Sequence, residues 1–147
     1  MAKYTRFEEL PVWQEAARLY NDVLDLLEEP DSPLSWGFRN QLERAALSIS
    51  NNIAEGFERI STKELIGYLA IARGSAGEVR SMIAAVQQRP KLVKLKDRLL
   101  AIRHLAESCC RQVTAWITSI ENSPVKGKRH LAQESDENAP PRKSGKV

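Results

Sequence analysis

Two cysteines and two histidines are all that 147 residues supply of the side chains most used for metal binding and nucleophilic catalysis. The cysteines are adjacent, Cys109 and Cys110, so they build no disulfide framework and fit a reducing compartment. His104 precedes them by five and six positions, which is not a ligand spacing on a helix, and His130 stands far from either. Aromatic residues are scarce at 6%, which argues against a sheet protein. No apolar run approaches the ~18–20 residues that span a bilayer. The opening Met1-Ala2-Lys3-Tyr4-Thr5-Arg6 has no apolar segment behind it, so no secretory signal is expected. Nucleotide-binding strings of the GxxxxGK[ST] or strand–GxGxxG–helix kind are missing too. A cytoplasmic protein without catalytic residues, metal or cofactor is therefore expected.

What the chain does have is helical periodicity. The composition, 42% apolar and 28% charged, suits one domain with a real core. Trp13, Ala16, Ala17, Tyr20, Val23, Leu24 and Leu27 recur at spacings of three and four, with Val12, Leu19 and Leu26 as a second stripe beside them. A face that wide predicts more than one neighbour for the first helix. Pro11 suits its first turn, and the Glu28–Pro33 stretch ends it. A second helix is predicted from near Ser35 to about Phe57 on Phe38, Leu42, Ala45, Ala46, Ile49, Ile53 and Phe57, with Gly56 as its stop signal. Ser61-Thr62-Lys63-Glu64 has the form of a capping box opening a third.

The third helix carries Leu65, Leu69, Ala72, Ala76, Val79, Ile83 and Val86, and ends by Pro90. Beside that stripe run Gly67, Ala70, Gly74, Gly77 and Ser81. Each interior glycine costs roughly 1 kcal/mol relative to alanine, so close approach of another helix is expected along this face. The fourth helix should start at about Lys91 and bury Leu92, Leu95, Leu99, Ile102, Ala106, Cys109, Val113, Trp116 and Ile120. Short connections between four such helices imply an all-α, antiparallel up-down four-helix bundle over residues 1–122. Periodicity stops there, and 123–147 is expected to be a disordered basic tail.

The formal net charge of +3 is unevenly placed. The tail holds six bases against three acids, and residues 1–31 hold three bases against eight acids. Residues 32–122 are correspondingly positive, most densely at Arg89, Lys91, Lys94, Lys96 and Arg98. Such a cluster can neutralise phosphates. It can equally be a solvated face or half of a self-complementary contact.

Several polar residues fall on helix edges. Arg44, Ser48, Asn51 and Glu55 step along one edge of the second helix, with Asn52 nearer its apolar stripe. Ser75 and Glu78 lie on the third, with Arg73 nearby. A structural network of Ser48, Asn51, Asn52, Glu55, Ser75 and Glu78 is expected; a di-metal site is not, since neither glutamate is followed by the Glu-x-x-His histidine. Gly74-Ser75-Ala76-Gly77 matches the GXXG loop of KH domains, but it sits inside an unbroken helical repeat.

The stretch Gln41-Leu42-Glu43-Arg44-Ala45-Ala46-Leu47-Ser48-Ile49-Ser50-Asn51-Asn52-Ile53-Ala54-Glu55-Gly56 resembles the signature of the 23S rRNA intervening-sequence proteins. Leu69–Glu78 looks like their second signature, and Phe7–Gln14 resembles their usual opening. The resemblance covers about residues 4–121 and implies an antiparallel four-helix bundle. The family is similar to the accessory variability determinant of diversity-generating retroelements, which forms a barrel-like ring of five subunits and binds a reverse transcriptase and nucleic acid. A homo-pentamer is therefore implied here. Glu43 departs from the pattern, standing where relatives often carry a base.

The function expected is that of a non-enzymatic homo-oligomer binding structured RNA, or DNA, through Arg44, Arg73, Arg80, Lys91, Lys94, Lys96 and Arg98. The alternative is a protein-binding adaptor, such as a partner of a reverse transcriptase, using the broad first helix and the small-residue stripe of the third.

Overall fold

The computed structural model describes residues 4–123, so the basic tail lies outside the described residues. A 3₁₀ turn at Phe7–Glu9 leads into α1 (Pro11–Leu27), followed by α2 (Trp36–Phe57), α3 (Thr62–Val86) and α4 (Lys96–Glu121). Pro11 occupies the first turn of α1, where its missing N–H is no loss. Ser35 caps α2 by accepting from the Phe38 amide at 3.2 Å, and Ser61 caps α3 by accepting from the Glu64 amide at 3.1 Å. Between α1 and α2 the chain turns at Asp31, whose φ of 58° is a left-handed conformation that a short polar side chain tolerates.

Side-chain bonds between helices fix their directions. Tyr20 of α1 meets Glu43 of α2, while the Arg39 guanidinium donates to the Leu27 carbonyl nearer the α1 C-terminus. Gln41 meets Glu78 and Ser48 meets Ser75 across α2 and α3, and Arg59 beyond α2 meets Tyr68. Arg80 pairs with Glu107 of α4, and Gln87 bonds Arg103. Glu15 reaches Ser108 and Gln112, while Glu29 reaches Arg98. Each series runs forward on one helix and backward on the next, so all four neighbouring pairs are antiparallel. The result is an up-down four-helix bundle with α1 closing against α4.

The core is apolar along its length. Leu42, Ile49 and Ile53 of α2, Leu65, Leu69 and Ile83 of α3, and Leu99, Ile102 and Ile120 of α4 are fully buried. Each contributes roughly 1.5–3 kcal/mol by leaving water. Phe38, Val86 and Trp116 pack at the margin, partly buried.

Four local expectations are corrected. The centre of the buried face of α1 is Val12, Ala16, Leu19, Val23 and Leu26, with Trp13, Tyr20 and Leu27 packed on its flanks. The smaller side chains fit under the neighbouring helices, and Trp13 instead packs against Phe7 of the 3₁₀ turn, ring centroids 5.2 Å apart and planes tilted by 59°. The surplus width of α1 is thus taken up inside the protomer by α2, α4 and that turn. Secondly, the segment after Pro90 is 3₁₀ from Pro90 to Leu95, and α4 proper starts at Lys96; Leu92 and Leu95 pin the segment to the core.

Thirdly, Gly56 lies within α2. A Cβ there would meet Tyr68 Cβ at 3.0 Å and Leu65 Cδ1 at 3.2 Å, so its role is to let α3 approach. Lastly, Gly67, Gly74 and Gly77 have no atom within 4 Å of where a Cβ would stand, so the expected close helix neighbour is not found there among the described residues. Ala70, Gly74 and Ser81 are exposed on the same face. The GXXG string is simply part of α3.

Candidate nucleic-acid interface

The α1 C-terminus, the α2 N-terminus, the α3 C-terminus and the α4 N-terminus meet at one end of the bundle, and there the charge is divided. On one side, Asp22, Asp25, Glu28 and Glu29 of α1 line a groove against Arg98 and Ala101 of α4. On the other side, Arg89 and the 3₁₀ lysines Lys91 and Lys94 are exposed, followed by Lys96 at the start of α4. Arg98 ties the two sides together through an ion pair with Glu29 at 2.8 Å.

Among the described residues, Arg89, Lys91, Lys94 and Lys96 form no ion pair. The position of Lys96 runs against the fold's own electrostatics. The N-terminus of a helix carries partial positive charge, and a cation there costs about 0.3–1 kcal/mol. Lys96 and Arg98 nevertheless stand in the first turn of α4, where Asp97 is the only acid, and the first turn of α2 has no acid at all. Arg89 is different, since it follows the α3 C-terminus, where a cation is favourable. Leu92 and Leu95 hold the segment in place, so the lysines project from an anchored strap rather than a free loop.

The seven basic residues singled out in the sequence do not make one surface. Lys91, Lys94, Lys96 and Arg98 are brought together at the end of the bundle. Arg44 is exposed two turns into α2, and Arg73 is exposed about 20 Å from the α3 C-terminus. Arg80 pairs with Glu107 at 3.6 Å, in competition with Arg103 at 3.2 Å.

The same end carries a cleft of about 450 Å³ between the α1–α2 loop and the 3₁₀ segment. Leu34, Phe38, Val86 and Leu92 supply its apolar lining, and Arg89 and Lys91 its charge. Next to Ser35, which also lines it, Trp36 opens α2 with 80% of its surface exposed. Trp36 and Arg89 were absent from the sequence-derived site. The signal for Trp36 was its position: it falls off the apolar stripe that begins at Phe38.

The polar residues of α2 and α3 divide into separate contacts. The Ser48 and Ser75 hydroxyls share a hydrogen bond at 2.8 Å, and the Asn52 amide donates to the Ser48 carbonyl and hydroxyl at 2.8 and 2.9 Å. Glu78 accepts from Gln41 at 2.6 Å. Glu55 pairs with Arg59 at 2.6 Å, and that guanidinium also sits 4.9 Å over the Tyr68 ring. Asn51 is exposed. Glu43, the departure noted above, accepts from the Tyr20 hydroxyl at 3.3 Å. Burial, and then the Glu43 charge, raise the Tyr20 pKa.

A further network was invisible in the sequence. The Glu15 carboxylate accepts from the Ser108 hydroxyl at 2.9 Å and from the Gln112 amide, bridging α1 to α4. Beneath it, burial, with help from Glu15 and Cys110, pushes the Cys109 thiol up to about 12. His104 is exposed. Among the described residues no group of three or more His, Cys, Asp or Glu side chains could hold a metal ion, and no helix is long and apolar enough to cross a membrane.

An antiparallel four-helix bundle with charge concentrated at one end is the class these observations define. Residues 8–115 match the family model of the 23S rRNA-intervening sequence protein. The chain belongs to that family. No curated protein matches it significantly.

Proposed function

We propose that this chain is a non-enzymatic nucleic-acid-binding bundle that acts on structured RNA as a homo-oligomer. The observation that carries the reading is the cluster Lys91, Lys94 and Lys96, which is exposed and without ion pairs among the described residues, with Lys96 set against the dipole of α4. Exposed cations that the protomer leaves without an acidic partner are accounted for by an anionic ligand. The family description, which names an intervening sequence of 23S rRNA, supports RNA as that partner. The buried Cys109 thiol, with its pKa raised to about 12, is unsuited to act as a nucleophile.

Fluorescence anisotropy of a labelled structured RNA across a salt series tests this. Replacing Lys91, Lys94 and Lys96 together by alanine is expected to reduce the slope of log K against log salt by about 2 to 3, from ~0.7–0.9 per lost phosphate contact. An unchanged slope would refute the assignment.

Self-association is supported by the outer face of α3. Gly67, Ala70 and Gly74 are exposed there, and Ile71 is 52% exposed. The protein-adaptor reading, including a reverse transcriptase as partner, draws on this same face and no longer on α1. Co-purification of a protein partner that survives nuclease treatment would favour it over the RNA reading.

A further inference from the structure

The cleft has an apolar floor, and Trp36, the residue after its lining Ser35, exposes 80% of its surface; a general basic surface needs neither. Leu34, Phe38, Val86 and Leu92 form the floor, and Arg89 and Lys91 stand over it. Among the described residues no carboxylate lines it, in contrast to the acidic groove between α1 and α4 at the same end. Its volume, about 450 Å³, falls within the ~300–1,000 Å³ typical of small-ligand clefts. Trp36 lies one residue beyond the lining Ser35, and Lys94 follows one 3₁₀ turn after Lys91.

A lone phosphate would be served by the cations and would leave the floor unused. A paired duplex presents phosphates but keeps its bases stacked inside, so it cannot reach a concave apolar floor. An unpaired nucleotide brings both parts, a flat apolar base and a flanking phosphodiester, and recognition of single-stranded loops by aromatic stacking with basic side chains has this composition. We propose that this cleft receives one unstacked nucleotide of a nucleic-acid strand. Its base lies on the apolar floor, the neighbouring base stacks on Trp36, and the flanking phosphates are held by Arg89, Lys91 and Lys94.

This rests on the nucleic-acid reading above, and the test separates the two. The full chain is titrated against a labelled RNA hairpin with an unpaired loop, and against the same stem as a blunt duplex. The hairpin is expected to bind about ten-fold tighter, in line with the loss of one stacked base. Trp36→Ala should abolish that preference while leaving duplex affinity and salt slope unchanged; Leu34→Glu, which puts a carboxylate on the floor, should abolish the preference too. Arg89→Ala with Lys91→Ala should lower the salt slope on the hairpin by about 1.5. Thermal melts establish that each variant is folded; Trp36, at 80% exposure, gives up little core contact.

A DNA hairpin of the same sequence identifies the sugar. Loss of its loop preference in Trp36→Ala would support the cleft as fully as the RNA result. If the wild-type chain binds hairpin and duplex equally with a steep salt slope, or if the preference survives both Trp36→Ala and Leu34→Glu, the cleft assignment falls and nucleic-acid binding stands. Binding to neither RNA at low salt would overturn both.

Discussion

Replacing Gly67, Gly74 and Gly77 by alanine should stabilise the isolated protomer, because all three sit inside α3 with nothing within 4 Å of the added methyl. Each substitution recovers about 0.5–1 kcal/mol, partly from helix propensity and partly from a less flexible unfolded chain. Together that is about 1.5–3 kcal/mol. For a bundle of this size, about 4 °C per kcal/mol converts the gain to roughly 6–12 °C in Tm. Gly56→Ala is the internal control. The same propensity gain is opposed there by tight contact with Tyr68 Cβ at 3.0 Å, which yields only if the α3 backbone shifts, and with Leu65 Cδ1 at 3.2 Å. Overpacking of that kind costs about 1–3 kcal/mol, so a net loss near 1 kcal/mol is expected.

The assay is thermal unfolding by circular dichroism at low and high protein concentration, with the mass followed by light scattering. If the α3 face is where copies meet, the triple variant gains in Tm at low concentration and loses the assembled mass at high concentration. A Tm that falls even at low concentration would show that the methyls meet atoms and would refute the open face. An assembly of unchanged mass would remove this face from the interface.

Glu15→Ala should destabilise the fold by about 1–3 kcal/mol, since Ser108 and Gln112 lose the acceptor that they share and are themselves partly buried; chemical denaturation measures it. Cys109, raised from 9.0 to about 12 in the folded protein, favours the fold as the neutral thiol. That contribution is complete below pH ~9 and is lost as pH rises toward ~12, at about 1.4 kcal/mol per pH unit. Cys109→Ala should therefore show a shallower alkaline decline in stability than the wild type. At pH 8, a thiol reagent should label Cys110 in the native protein and reach Cys109 only on unfolding, which a count of labelled thiols by mass spectrometry decides.

The four helices, the start of α2 near Ser35, the Ser61 cap and the buried stripes of α2, α3 and α4 were legible in the sequence, because three-four spacing and capping chemistry are local. The face of α1 was misplaced because two apolar stripes run side by side. Periodicity alone does not say that the large Trp13 and Tyr20 belong at the edge and the slimmer Ala16 and Leu19 beneath. Glycine identity likewise announces a backbone that something approaches, without saying what. For Gly56 the approach is made by α3 of the same chain, while Gly67, Gly74 and Gly77 face open space. The Glu15 network joins residues 93 and 97 positions apart, beyond any local pattern. The basic cluster was visible as composition, whereas its separation from Arg44, Arg73 and Arg80 follows from how far along each helix those residues stand.

The 26 residues of α4 span about 39 Å, from Lys96 at the basic end to Glu121 at the other. Because α1 runs antiparallel beside it, Pro11 and Glu121 stand at that same far end. Residue 123 therefore stands nearly 40 Å from Lys96, while the shorter α1 carries Pro11 about 25 Å from Leu27. In engineering terms the bundle is a rigid spacer with both of its attachment points on one pole, and a tether placed at either would leave the opposite pole unobstructed.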